Sequence, residues 1–175
     1  MTTKRAGLES STEGDSGTPC LATLKKLRIV IRAAQRHSAW IEKKCGVSGA
    51  QLWIMQELFD SPGLRVGEIA RRLAIHQTTV SNLLDMLEKR GFVMKARDPA
   101  DQRAVRLGLS DGGAALLASA PRPARGLLPE ALAKLSPEQV LRLNRGLDEL
   151  LNCIGILDEG YGLQPLPFTM DMPRS

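Results

Sequence analysis

Two short helical segments separated by only two residues constrain this chain more than any other feature of its sequence. Residues 66–73 and 76–91 each carry apolar side chains at helical spacing, and Gly91 is a natural helix stop. The small Ala70 allows the two helices to approach each other closely. We expect the following residues to form the contact between them: Ile69, Ala70, Leu73, Ile75, Val80, Leu84 and Leu87. The pattern predicts a helix-turn-helix.

A β-hairpin is predicted directly after these helices. Residues 92–97 and 104–109 can each form a strand, and Asp98-Pro99 between them favours a turn. Ser110 can then cap a further helix that runs to about residue 119. Because two helices and a hairpin follow one another in this order, the segment is predicted to be a winged helix-turn-helix.

Longer helices flank this unit. Apolar spacing predicts a helix over residues 21–44, and Ser48 is a suitable cap for the next one. Pro121, Pro123 and Pro129 interrupt the chain before a capping box at residues 136–139 opens a last helix. That helix carries a seam at steps of three and four: Val140, Leu143, Leu147, Leu150, Ile154 and Leu157. A short domain cannot easily bury such a seam, so we expect a second subunit to cover it.

The expected fold is mainly α with a small β-hairpin, a winged helix-turn-helix flanked by N- and C-terminal dimerisation helices. Aromatic residues make up only 3% of the chain, which suits a helical core of aliphatic side chains. We divide the chain into a flexible N-terminal tail (1–20), a dimerisation helix (21–46), a winged DNA-binding domain (47–113), C-terminal dimerisation helices (114–160) and an irregular C-terminal tail (161–175).

The net charge of +5 is unevenly distributed along the chain. Residues 21–45 and 65–106 are basic, which indicates either an anionic partner or simply solvated helix faces. The three cysteines have no CxxC spacing and there are only two histidines, so we expect neither a metal site nor a disulfide framework. An export signal and a membrane-length apolar run are both lacking, and we expect a cytoplasmic protein without a membrane partner.

Small polar residues fill the outer side of the second helix over its first two turns. Gln and Asn can pair bidentately with adenine, and a Thr methyl can meet the thymine methyl. The predicted reading residues are His76, Gln77, Thr78, Thr79, Ser81 and Asn82. Arg71, Arg72 and Lys89 would meet phosphates. Ordinary helix capping and a solvated helix face remain the alternatives for these two groups.

The segment resembles the multiple-antibiotic-resistance regulator (MarR) family. The resemblance lies in residues 68–73 and 79–93, in the D-x-R of Asp101-Gln102-Arg103, and in Leu109-Ser110 with Gly113. It spans about residues 21–157 and is strongest over 66–113. It implies a homodimeric regulator of double-stranded DNA, usually a repressor acting on a pseudo-palindromic operator. Ala74 and His76 depart from the glycine and the Ser or Asp cap that many helix-turn-helix units have at these positions.

The resemblance also implies roles for residues of the wing. Arg103 would enter the minor groove, where a narrow groove attracts arginine. Asp101 would hold the shape of the loop, and Arg97 would contribute to the wing and backbone contacts. A solvated hairpin without a role in binding is the alternative.

Our expectations about regulation come from the family resemblance. Family members often bind small aromatic acids, and on that basis Arg36, His37, Trp40 and Trp53 would form a pocket wall. The alternative is that the tryptophans are core residues and that His37 is satisfied within the fold. Some relatives sense oxidants through a cysteine near the first helix, which is where Cys20 lies.

Two other functional classes compete with a DNA-binding regulator. An enzyme is disfavoured because the sequence has no nucleophile with its base, no phosphate-binding glycine loop and no metal motif, so no cofactor is expected. A winged helix used for protein or RNA contact is the second rival. Salt-dependent preference for one promoter sequence would separate it from a DNA regulator.

Overall fold

The computed structural model describes residues 18–98, 105–155 and 158–170. The fold is mainly helical with a single two-stranded sheet in that part of the chain, which confirms the predicted fold class. In chain order the elements are α1 (Pro19–Cys45), α2 (Gly49–Asp60), α3 (Val66–Leu73), α4 (Gln77–Lys89), β1 (Val93–Arg97), β2 (Val105–Leu109), α5 (Asp111–Ser119), α6 (Leu127–Ala133), α7 (Pro137–Ile154), α8 (Glu159–Gly162) and a 3-10 turn (Pro167–Thr169).

The chain divides into two compact units within α1, one ending at Arg32 and the other beginning at Ala33. The first unit holds the N-terminal half of α1, where the Thr23 hydroxyl donates to the Pro19 carbonyl at 2.9 Å. Its large apolar side chains, such as Leu21 and Ile29, are exposed. All other elements belong to the second unit.

The core of the second unit is aliphatic, as the composition predicts. The helix-turn-helix residues expected inside are there: Ile69, Val80 and Leu87 are fully buried, and Ile75 packs against the cluster. Helix α2 supplies the centre, with Leu52, Ile54, Met55 and Leu58 all buried. The core therefore holds α2, α3, α4 and the hairpin together, which fixes α4 as one wall of the unit.

The predicted helix starts are confirmed by their hydrogen bonds. Ser48 and Gln51 form a reciprocal capping box at α2, and Ser136 and Gln139 form another at α7. The Ser110 hydroxyl accepts from Gly113 N–H at 3.0 Å and donates to the Gly91 carbonyl at 2.6 Å. One serine thus caps α5 and also ties it to the end of α4.

The hairpin pairs β1 and β2 antiparallel, from Val93 opposite Leu109 to Arg97 opposite Val105. Leu107 extends the pairing outward: its N–H donates to the Leu64 carbonyl at 3.0 Å, and its carbonyl accepts from Gly63 N–H at 2.8 Å. The segment between α2 and α3 therefore lies beside β2 and holds the wing against the helices.

Three predicted boundaries need correction. Helix α1 begins at Pro19, so the expected N-terminal tail was drawn two residues too long. The core does not end at residue 113, because Leu117, Ala120 and Ala124 are buried in it and α5 packs against α2. Pro129 does not break a helix, since it lies in the first turn of α6, where its missing N–H is tolerated.

The C-terminal segment, by which we mean residues 158–170, differs most from expectation. We predicted an irregular tail, but the segment contains α8 and the 3-10 turn and is hydrogen-bonded to the rest of the unit. Leu163 O accepts from His76 N–H at 2.9 Å, and Phe168 O accepts from the Ser38 hydroxyl at 2.6 Å. These two bonds join it to α1 and to the start of α4.

Helix α7 exposes the apolar seam predicted for it. The exposed fractions run from 37% at Val140 to 54% at Ile154, and the last seam residue, Leu157, lies outside the described residues. In the described ranges, no helix combines the length and apolarity that a bilayer span needs.

Candidate nucleic-acid interface

The turn between α3 and α4 is short because one residue adopts a left-handed conformation. Ala74 has φ 53° and ψ 45°, and Ile75 N–H returns to the Ala70 carbonyl at 3.1 Å. Alanine holds this conformation at a small cost that glycine avoids. The departure noted at Ala74 therefore leaves the helix-turn-helix geometry intact.

The first two turns of α4 present polar side chains to solvent, as predicted. His76, Gln77, Thr78 and Asn82 are exposed, while Thr79 and Ser81 are half-buried. His76 is the N-cap residue and makes no side-chain capping bond with the described residues. Because the first amides of a helix favour an anion, this end of α4 suits contact with phosphate.

Two of these side chains have partners within the chain. The Ser81 hydroxyl donates to the Gln77 carbonyl at 3.0 Å, one helical turn back. The Gln77 side chain extends over α3, where its Oε1 is 3.5 Å from the position that a Cβ on Gly67 would take. Gln77 can still swing outward, since its contact with α3 is only van der Waals.

The predicted phosphate contacts fall into two groups. Arg71, Lys89 and Arg97 are exposed, and Arg97 closes β1 at the wing. Arg72 instead donates to Glu57 at 3.1 Å and to the Ser61 hydroxyl at 3.0 Å. Its guanidinium is therefore engaged in holding α3 to α2, which leaves Arg71 as the better candidate on that helix.

The base of the wing is fixed by a buried carboxylate, that of Asp98, which local sequence pattern does not single out. Asp98 is only 3% exposed and accepts from Arg65 Nη2 at 3.1 Å and from Arg106 Nε at 2.8 Å. The family resemblance implies that Asp101 holds the shape of the loop, but Asp101 and Arg103 lie outside the described residues. Within the described part of the wing, Asp98 performs that task.

A lysine ties the wing to α4. Lys95 Nζ lies 2.7 Å from carboxylate oxygens of both Asp85 and Glu88. Hydrogen bonds from the two acids raise the pKa of Lys95, and the bond to Lys95 lowers the pKa of Asp85. Asp85 and Glu88 are three residues apart and therefore share one face of α4, and Lys95 lies in the strand that follows. This combination is the sequence signal that could have predicted the contact.

Glu57 on α2 is the centre of a second ionic cluster. It is 6% exposed and accepts from Arg72, from Arg125 at 2.7 Å and from Trp53 Nε1 at 3.1 Å. Burial by itself would raise the pKa of Glu57, but the hydrogen bonds from the two arginines and Trp53 outweigh it and hold the pKa below its ordinary value. Arg125 also donates to Asp60 at 2.6 Å.

A cavity of about 410 Å³ lies between α1, α2, the α3–α4 turn, α6 and the C-terminal segment. Two of the four residues expected to form a pocket wall, His37 and Trp53, line it. Arg36 and Trp40, predicted with them, do not belong to the lining and are exposed on α1, because they face away from the side that carries Ala34 and Ile41. The arginine in the lining is Arg125, which periodicity could not indicate because it lies between helices.

The cysteines occupy different environments. Cys20 is exposed at the start of α1, and Cys153 is exposed on α7. Cys45 is buried, and burial raises the pKa of its thiol. Redox sensing by Cys20 stays a prediction. No three potential metal-ligating side chains cluster in the ranges that the structure describes.

Comparisons with known proteins agree with this architecture. Residues 47–105 match the model of the MarR family. The HTH-type transcriptional repressor MdtR of Bacillus subtilis (strain 168) is 27% identical over 100 residues, which are 57% of this chain. The chain thus spans 64% of the length of that relative.

Solved structures share the fold. A MepR-like protein complexed with pseudoligands gives a TM-score of 0.53 at 19% identity, covering 78% of this chain and 97% of that one. The PcaV regulator of Streptomyces coelicolor, in complex with its natural ligand, gives 0.50 at 20% identity, covering 81% and 97%. The region that the family model matches, residues 47–105, carries the helix-turn-helix and β1. The comparisons thus place residues 47–105 in the MarR family and give the chain a winged-helix fold.

Proposed function

We propose that this protein is a homodimeric repressor that binds a pseudo-palindromic operator and leaves it when a small molecule binds. The observation that carries the proposal is the exposed polar start of α4, held beside a wing by a fully buried aliphatic core. A rigid scaffold of this kind can present the same side chains to every site it meets.

In the proposed complex, α4 enters the major groove. Gln77 and Asn82 read base edges, while Thr78 and Thr79 make hydroxyl and methyl contacts. Arg71 and Lys89 meet the phosphates on either side of the groove. The wing arginine Arg103 enters the adjacent minor groove. The bonds from Arg65 and Arg106 to Asp98 support this, because they fix the ends of β1 and β2 that flank residues 99–104.

The dimer is supported by helix α7. Its seam leaves large aliphatic side chains about half exposed, which is unusual for a surface that has no partner. A twofold dimer would place two copies of α4 on half-sites one helical turn apart, about 10 bp. Repression is supported by the relative MdtR, which is named as a repressor.

The effector is proposed to bind in the cavity beside the α3–α4 turn. The cavity is large enough for a small molecule, and its lining includes residues of that turn, such as Ala74 and Ile75. The structural neighbour PcaV is described with its natural ligand, which supports a ligand-binding fold of this kind.

The test is a gel-shift titration with DNA from upstream of the chain's own gene, over a salt series and against random competitor. We expect a specific complex that weakens with salt. Gln77→Ala should reduce discrimination at one base position by about 1–3 kcal/mol. Gln35→Ala, which changes an exposed glutamine on α1, is the matched control and should leave the site profile unchanged.

Equal binding to the upstream and random DNA would contradict the proposed operator. A site profile that is identical for the wild type and Gln77→Ala would remove Gln77 from the reading surface. Protein binding in place of specific DNA binding would favour the rival interpretation, a winged helix used for protein contact.

A further inference from the structure

The C-terminal segment forms one wall of the cavity beside the α3–α4 turn. Pro165, Leu166 and Phe168 belong to the lining, together with His37 and Trp53. Backbone carbonyls in the segment accept from Ser38 on α1 and from His76 at the start of α4. The cavity is therefore closed on this side by a part of the chain that also contacts the reading helix.

Three polar side chains of the lining, those of Arg125, His37 and Trp53, already have partners inside the protein. Arg125 donates through Nε to Glu57 at 2.7 Å and through Nη2 to Asp60 at 2.6 Å, so its charge is shared between two carboxylates. His37 Nε2 lies 2.9 Å from the Pro123 carbonyl, and Trp53 Nε1 donates to Glu57. Among the described residues, no buried side-chain nitrogen or oxygen lacks a hydrogen-bond partner.

An anionic ligand would have a poor environment here. It would lose its hydration on entry and would find the arginine already shared between two carboxylates. A neutral apolar ligand loses little hydration and gains contact with Ile41, Ile75 and Leu166. The lining thus disfavours the small aromatic acid that the family resemblance implies.

We propose that the C-terminal segment closes a binding site for an uncharged, mainly apolar small molecule and links that site to α4 through the bond between Leu163 O and His76 N–H. The regulatory meaning of this link rests on the proposed function, whereas the binding site itself does not. A ligand bound against the segment that shifts Leu163 would remove the hydrogen bond from His76, the N-cap residue of α4.

The first experiment compares two probes that share a naphthyl ring, naphthalenemethanol and the naphthoate anion. The full chain carries Trp40→Phe, so that quenching reports on Trp53, the only tryptophan left. We expect the alcohol to bind at least about tenfold more tightly than the carboxylate. Equal or tighter binding of naphthoate, or no quenching by either probe, would overturn the proposal.

The second experiment tests the wall. Leu166→Asp places a charge in the lining, whereas Leu163→Asp places the same charge in the same segment on a side chain outside it. We expect Leu166→Asp to weaken binding of naphthalenemethanol by about tenfold or more. Leu163→Asp should leave the affinity for this alcohol within about twofold of the wild-type value. Similar effects of the two variants would contradict a wall at Leu166.

A disulfide provides a test that does not depend on the folding of Leu166→Asp. A Cβ built on Gly49 would lie 3.6 Å from the Thr169 Cβ, which is disulfide range. Gly49→Cys with Thr169→Cys, in a chain with Cys20→Ser and Cys153→Ser, should form a reducible bond. The oxidised protein should bind the alcohol more slowly than the reduced protein, and equal rates would overturn the closing role of the segment.

Operator binding separates the two proposals. A wild-type protein that takes up the alcohol but ignores its upstream DNA refutes the proposed function and leaves the site standing. A protein that binds its operator but neither probe refutes the site alone. If both hold, the alcohol should weaken the operator complex of the wild type and have little effect on that of Leu166→Asp.

Discussion

At Gly113 the chain has no room for a side chain, because α5 begins directly against the residues that follow α4. A Cβ there would overlap the carbonyl oxygen of Phe92, whereas a Cβ on Gly112 would meet nothing closer than Ser110 Oγ at 3.7 Å. Ser110 N–H also donates to Phe92 O, at 3.1 Å. The Leu-Ser-x-x-Gly sequence is thus required by close packing as well as by capping.

Gly113→Ala should lower the free energy of unfolding by about 1–3 kcal/mol, since the added methyl must push two backbone segments apart. The adjacent Gly112→Ala should change it by less than about 1 kcal/mol, and toward greater stability, because alanine favours a helix. Urea denaturation of both variants measures the difference. Equal stability of the two would show that α5 is not packed as described.

Asp98, like Gly113, should be sensitive to substitution because it is buried. Asp98→Asn should destabilise the protein by about 1.5–3 kcal/mol, because the bonds from Arg65 and Arg106 lose their charge. It should also weaken operator binding, since the wing loses its anchor. The exposed Asp111→Asn is the control and should cost at most about 1 kcal/mol. Unchanged operator affinity for a folded Asp98→Asn would separate the cluster from DNA binding.

At the scale of the elements, the helices differ in what covers them. Helix α2 buries eight of its twelve residues, which makes it the centre of the unit. Helix α7 has no buried residue at all, although its seam is as regular as that of any core helix. An amphipathic helix with an uncovered apolar face is expected to associate, and this is the physical basis of the proposed dimer.

Leu150→Glu should convert the proposed dimer to a monomer, because a carboxylate in the middle of the seam would be buried there without a partner. Asn152→Glu adds the same side chain on the opposite face of α7 and should leave the dimer intact. Light scattering of both variants at matched concentration gives the mass. A dimeric Leu150→Glu would assign the interface to another surface.

At the scale of the whole molecule, the cluster around Glu57 joins separate parts of the second unit. It brings α2, α3 and the segment before α6 to one carboxylate. Folding lowers the pKa of Glu57, so ionised Glu57 stabilises the folded state. This stabilisation is complete at a pH above the pKa of Glu57 in the unfolded chain, and it is lost as the pH falls through the pKa in the folded protein. The cluster should therefore weaken in acid.

Glu57→Gln should lower the free energy of unfolding at neutral pH by about 1–3 kcal/mol, toward the lower end because Arg72 and Arg125 are partly solvated. The difference from the wild type should shrink as the pH falls below the ordinary glutamate value of 4.5. Glu130 forms an exposed ion pair with Lys134 at 3.4 Å, and Glu130→Gln should change the free energy of unfolding by less than about 1 kcal/mol at any pH. A constant difference for Glu57→Gln would contradict the lowered pKa.

Much of the fold and part of the site could be predicted from local pattern. Periodicity placed Val80 and Leu87 inside and Gln77 outside, because both consequences follow from helix geometry alone. Capping by Ser48, Ser110 and Ser136 was predictable for the same reason, since cap and helix are neighbours in sequence. The cavity wall was only half predicted, because Arg125 and the C-terminal segment reach it from distant parts of the chain.

The sequence by itself determined the order of the helices and the hairpin, the residues that α4 presents and the seam of α7, because each depends on spacing within one element. Only the tertiary structure decided that Asp98 holds the wing, that Glu57 engages Arg72, and that the C-terminal segment closes the cavity. Such contacts join residues far apart in the chain, and their energies depend on burial and on which partner is nearest. Neither property is written in local spacing.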